Sequence, residues 1–246
     1  MRYLVFGLIV VALALAACSS VPNQCKGLDG KNLTTCVIDT ATSTNNVKAC
    51  DSLDTAALQS WCVTSVATAA DDAASCDGAP DDVSADFCRK EIYILDGDPA
   101  ACDSLGYDPA RDVCYETFAR NMSDWHLCTN MTAGKPREQC IEFLARQAED
   151  PYGCKALNRR NPNKDPCLFS LSIATENTAT CHAIYNPSSR AYCILNIAVN
   201  AQNESICDDI NRGNISEVCK NLVAQARNGT PNFTLTNQTA GTTDSS

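Results

Sequence analysis

The hydrophobic pattern of this chain is short and repeated. Large apolar residues stand at Val66, Ile92, Phe118, Leu144, Leu171, Ile197 and Val223, with Thr40 in the matching place of the first segment. The next position is nearly always alanine: Ala41, Ala67, Ala119, Ala145, Ala198 and Ala224, with Tyr93 and Ser172 as variants. Each pair lies four and five residues after a cysteine, so cysteine, large and small residues form one narrow stripe of a helix. The near-constant alanine implies close helix contact. The spacing predicts a helix of roughly 14 residues that begins about five residues before its cysteine, with Asp108-Pro109, and Asn214 followed by Glu217, as start signals.

A shorter motif alternates with it. Leu28, Leu53, Ala79, Leu105, Met131, Leu157, Ile184 and Ile210 lie three residues after a second set of cysteines. Asn46, Asp72, Asp98, Asp124, Asp150, Asn177 and Asn203 lie four residues before them, and proline follows Asp98 and Asp150. Asp or Asn and then Pro is an N-cap followed by an N1 proline: the side chain accepts an orphan amide, and proline has none to lose. A helix of roughly eight residues is expected here, with its cysteine at the fourth position and left-handed caps at Gly106 and Asn158.

The cysteines therefore fall in eight pairs with a period of about 26 residues, the mark of a repeat array. Steps within a pair are 11, 12 or 13 residues, and the step between pairs is always 14. Two regular connectivities compete. Joining across the 14-residue steps strands Cys25 and Cys219 and mismatches helix heights by about 7 Å, more than a disulfide spans comfortably. Joining within pairs leaves no remainder, and the heights match in an antiparallel hairpin. The expected bridges are Cys25–Cys36, Cys50–Cys62, Cys76–Cys88, Cys102–Cys114, Cys128–Cys140, Cys154–Cys167, Cys181–Cys193 and Cys207–Cys219. The expected fold is an all-α solenoid of eight short disulfide-linked helical hairpins over residues 25–227. A 26-residue unit buries little apolar area, and a bridge contributes on the order of 3 kcal/mol by restricting the unfolded chain. This layout resembles the cysteine-rich tetratricopeptide-like solenoids of secreted bacterial proteins, in which each hairpin carries one bridge. The resemblance implies a scaffold used for binding.

The flanks have other compositions. Residues 1–17 hold one charge, Arg2, before an unbroken apolar run, the layout of an export signal. Leu15-Ala16-Ala17-Cys18 resembles the lipobox of prokaryotic lipoproteins, bacterial or archaeal. That resemblance implies cleavage before Cys18, a lipid on Cys18 that anchors the protein to the membrane, and an extracytoplasmic location. Residues 18–24 then form a linker. Without Cys18, 16 of the 17 cysteines remain, an even number, as expected where disulfides persist. Residues 228–246, rich in Asn, Thr and Ser, are expected to be disordered.

Charge and candidate chemistry narrow the function. A net charge of −10 and a pI near 4.6 argue against nucleic acid as a partner. The acidic pairs Asp71-Asp72, Asp81-Asp82, Asp96 with Asp98, and Asp208-Asp209 match no calcium loop, so no metal and no cofactor are expected. Arg111, Arg137, Lys164 and Arg190 stand three residues before the second cysteine of four adjacent units. They form a basic row that is either a ligand face or a set of ion-paired, solvated side chains. Eight sequons begin at Asn32, Asn121, Asn130, Asn203, Asn214, Asn228, Asn232 and Asn237. Asn203 already has a capping role, and the other seven are candidate glycosylation sites or products of a loop-rich composition. The two histidines, His126 and His182, fall in different units and every mature cysteine is assigned to a bridge, so no catalytic set is expected. The function expected is binding of another protein or an envelope component along the repeat surface. The alternative is a structural spacer or envelope-coat element.

Overall fold

A computed structural model describes residues 21–211 and 213–229. The expected export segment, Cys18, Asn232, Asn237 and residues 230–246 of the tail lie outside the described residues. Among the described residues there is no strand, and the helices alternate short and long. The all-α repeat of disulfide-linked hairpins is the observed fold.

The long helices are α1 (Gly30–Thr44), α2 (Ala56–Ala70), α3 (Asp82–Asp96), α4 (Asp108–Met122), α5 (Lys135–Gln147), α6 (Lys164–Ala174), α7 (Pro187–Asn200) and α8 (Gly213–Arg227). Each is preceded by a short helix. Asn23–Cys25, Val47–Ser52, Ala73–Gly78, Pro99–Ser104 and Glu204–Asp209 are 3-10 helices, whereas Trp125–Cys128, Pro151–Ala156 and Thr178–Cys181 are α. Seven bridges join short to long helix within a hairpin as expected, with Cα–Cα distances of 5.6 to 5.9 Å. Cys128 and Cys140 are also disulfide-bonded.

The chain forms two compact units, one running to Arg137 and the other starting at Glu138. In the first, α1 packs on α2, α2 on α3 and α3 on α4, and each also meets the short helix of the following hairpin. In the second, α6 packs on α7 and α7 on α8. Both cores are built from the stripes that the sequence predicts. The alanines Ala41, Ala67, Ala119, Ala145 and Ala198 have no exposed surface, and Val66, Ile92, Leu144 and Ile197 have almost none.

The short helices are shorter than the eight residues expected. In every hairpin the amide of the residue three past the first cysteine donates to that cysteine's carbonyl, as in Leu53 to Cys50 at 3.1 Å and Leu105 to Cys102 at 3.2 Å. This i to i+3 bond tightens the last turn. The chain then leaves the helix in extended conformation at Leu53, Leu105 and Leu157, which stay buried. Gly106 and Asn158 are not left-handed caps, because the helix has already ended at the leucine before each; Asn158 instead accepts the Arg160 amide at 2.9 Å. Two start signals are also displaced. Tyr107 is the N-cap of α4, with Asp108 in the first turn, and Asn214 already lies inside α8.

The left-handed residue belongs to the long helix instead. Asn45, Asp71, Gly97, Ser123, Glu149, Glu176 and Gln202 have φ between 49° and 75°, and each directly precedes the N-cap of the next short helix. The N-cap amide then reaches back to the small stripe residue: Asp72 to Ala67 at 3.0 Å, and Asp124 to Ala119, Asp150 to Ala145, Asn177 to Ser172 and Asn203 to Ala198 at 2.9 Å. These are Schellman-type closures. The side chains of Asp72, Asp98, Asp124, Asp150 and Asn203 accept an amide of the helix that follows. One residue thus ends one helix with its amide and starts the next with its side chain. That double duty leaves no slack, which accounts for the invariant 14-residue step.

Candidate functional site

The basic row turns toward its own hairpins. Lys164 donates through Nζ to the carbonyls of Lys155 at 2.7 Å and Leu157 at 2.6 Å. Partial burial lowers its pKa, against the opposing charges of Glu138 and Asp165. Arg111 reaches the Leu105 carbonyl at 3.5 Å and pairs with Asp108. Arg190 reaches the Tyr185 carbonyl at 3.5 Å, and its Nε is buried without a hydrogen-bond partner among the described residues. Gln59, at the same position in the second hairpin, donates to the Leu53 carbonyl at 2.8 Å. For Gln59, Arg111 and Lys164 the shared geometry is closure of the carbonyls at the end of the short helix by a donor from the long helix, whereas Arg190 reaches a carbonyl in the loop beyond it. Arg137 is half-buried, and among the described residues no such bond is found for it.

A second periodic device went unread in the sequence. Two residues before the long-helix cysteine, a carboxylate reaches into the loop of the next hairpin and accepts backbone amides. Asp86 takes Tyr107 at 2.7 Å, Asp112 takes Thr132 at 2.7 Å, Glu138 takes Asn158 at 3.1 Å, and Asp165 takes Tyr185 and Asn186 at 2.9 Å. The signal was present as an acid at the same place in four successive units. It was hidden by the general acidity of the chain.

Acidic pairs are also occupied by the fold. Asp81 caps α3, Asp98 caps the following short helix, and Asp208 pairs with Lys220 at 2.8 Å. Burial, then the charge and hydrogen bond of Asp71, then the charge of Asp98 raise the pKa of Asp96. Among the described residues no group of three or more metal-type ligands comes together. His126 stacks on Trp125 and contacts Asp124 through Nδ1 at 2.8 Å, and His182 is exposed in another hairpin. Asn32, Asn121, Asn130, Asn214 and Asn228 are exposed, and Asn203 is engaged as an N-cap. An open groove of about 650 Å³ on the first hairpin is lined by polar residues, among them Lys31, Thr35 and Asp39.

No family model, characterised protein or solved structure matches this chain.

What remains outside these devices is a set of exposed apolar and aromatic side chains: Trp61, Val83, Phe87, Tyr107 and Val113 on the first unit, and Tyr152, Tyr185, Tyr192 and Val218 on the second. Phe87 and Tyr107 meet edge to face at 5.8 Å, and the Arg159 guanidinium lies 4.2 Å over the Tyr185 ring. Large rings left in water do not stabilise a fold; their chemistry is that of interface anchors. Eight disulfides belong to an oxidising, extracytoplasmic compartment. No helix among the described residues is long and apolar enough to cross a membrane.

Proposed function

We propose that the chain is a lipoprotein, anchored at the extracytoplasmic face through a lipid on Cys18, that binds another protein or an envelope component along the outer faces of its hairpins. One observation carries the reading. The cysteines, the caps, the periodic carboxylates and the basic-row residues Arg111, Lys164 and Arg190 are engaged within the fold, whereas the exposed aromatic rings have no comparable part in it. A spacer needs only the first set. Arg111, Lys164 and Arg190 of the basic row are accordingly given a structural part, and the binding part passes to the exposed rings.

The test is photo-crosslinking in intact cells with a reactive side chain placed at Phe87 or at Tyr185. A discrete adduct of defined mass supports binding. Diffuse or absent adducts from both positions, at normal abundance of the protein, favour the spacer. An intact mass of the mature protein before and after reduction tests the anchor: the lipid adds to the chain that begins at Cys18, and reduction by an added thiol or phosphine adds two hydrogen atoms per bridge.

A further inference from the structure

Trp61, Phe87 and Val113 occupy one position, immediately before the long-helix cysteine, in three consecutive hairpins. They lie at the same level of α2, α3 and α4, helices that pack one on the next, so their side chains fall in a row at the 8–10 Å spacing of packed helices. Trp61 is 58% exposed, Val113 41% and Phe87 38%, and Val83 and Tyr107 extend the patch on the side of Phe87. The fold does not require apolar residues here. Thr35 holds the position in the hairpin before the row and Gln139 in the hairpin after it. Tyr192 and Val218 hold the position in the last two hairpins, beyond Gln139 and Pro166, so what sets the second to fourth hairpins apart is three apolar residues in succession.

Charge marks the same three hairpins. Residues 46–123 contain 15 carboxylates and 5 cations, a net charge of −10, which equals the net charge of the entire chain. The remainder of the sequence is neutral in sum. The cations that flank the row are already matched: Lys90 with Glu91 at 2.7 Å and Arg120 with Glu116 at 2.6 Å. The ring of Phe87 also takes a cation, with Lys90 Nζ 5.7 Å from its centroid.

We infer that this row is a docking strip for a basic amphipathic polypeptide segment of a partner protein, whose apolar side chains cover Trp61, Phe87 and Val113 while its lysines and arginines meet the surrounding carboxylates. The inference rests on the binding reading above and gives it a place and a partner chemistry.

The experiment uses the whole mature chain and two synthetic helical peptides of equal charge, one of lysine and leucine, the other of lysine and serine. Trp61 reports directly, because the other tryptophan, Trp125, is buried. Expected are a blue shift of tryptophan emission and saturable binding of the lysine–leucine peptide, with affinity at least about tenfold lower for the lysine–serine peptide and for Phe87→Ser/Val113→Ser. Both substituted positions are exposed, and unchanged helical dichroism confirms that the variant is folded. Equal affinity for the two peptides, or an unaltered affinity of the double variant, overturns the strip. An adduct at Tyr185 in cells together with that negative result would leave the general binding reading standing and remove only this one.

Discussion

Ser123 and Gly97 hold the same place in successive hairpins, yet only one of them is at ease there. A left-handed backbone costs an L-residue about 1–2 kcal/mol, offset in part because glycine loses more freedom on folding. Ser123→Gly is therefore expected to raise stability by up to about 1 kcal/mol, and Gly97→Ala to lower it by a similar amount, both measurable by denaturant titration. Asp86 presents a sharper case. Its buried carboxylate accepts the Tyr107 amide and holds Arg89 at 2.8 Å, so Asp86→Ala leaves the Tyr107 amide unmatched and Arg89 with Asp77 alone, and should cost about 1–3 kcal/mol. Tyr115 makes a pH-dependent contribution. Burial and its hydrogen bond to Asp103 at 2.6 Å push the phenol up to about 12. The folded state thus holds that proton more tightly than the unfolded chain. The stabilisation is complete below about pH 10 and is lost as pH rises toward 12. One tyrosine should lag in an ultraviolet titration of the native protein, and Tyr115→Phe should abolish the lag.

At the scale of elements, the hairpin is the unit that the sequence announces most clearly. Eight cysteine pairs, the N-cap residues and the Leu, Ile and Ala stripes are spaced by backbone geometry, so position alone reveals them. The ends of the short helices were less legible. Gly106 looked like a stop, but a stop is decided by which amide reaches which carbonyl, and that bond forms one residue earlier, at Leu105. The carboxylate that grips the next loop was harder still, since its partner is a backbone amide about 20 residues away and has no side-chain signature. The exposed apolar row was legible only as an excess, three large residues where neighbouring units carry Thr35 and Gln139. Removing one staple tests the hairpin as an element. Cys102→Ala/Cys114→Ala is expected to cost about 2–5 kcal/mol, with hydrogen exchange rising first in Pro99–Ser104 and the N-terminal turn of α4.

For the whole molecule, the balance between sulfur and core is the governing fact. Nearly all of the bridged cysteines have no exposed surface, so reductant added to the native protein should leave them intact at concentrations that act quickly in denaturant. Mass shifts after alkylation, with and without denaturant, distinguish the two states. Charge is distributed unevenly, with the whole net charge of −10 in the second to fourth hairpins. Raising salt should therefore weaken any partner held there far more than it weakens the fold, whose buried bonds are poorly screened.

The doubled role of the residue between hairpins also constrains how such a protein can change in length. An added residue at that junction would part the amide that closes one helix from the side chain that caps the next, so that one residue could no longer make both bonds. An added residue in the loop between two bridged cysteines is absorbed locally, and the sixth hairpin, with its step of 13, already carries one. Novelty in this family of shapes is thus confined to one edge. Homologues that differ in size should differ there, or by whole hairpins, and hardly ever at the hinge.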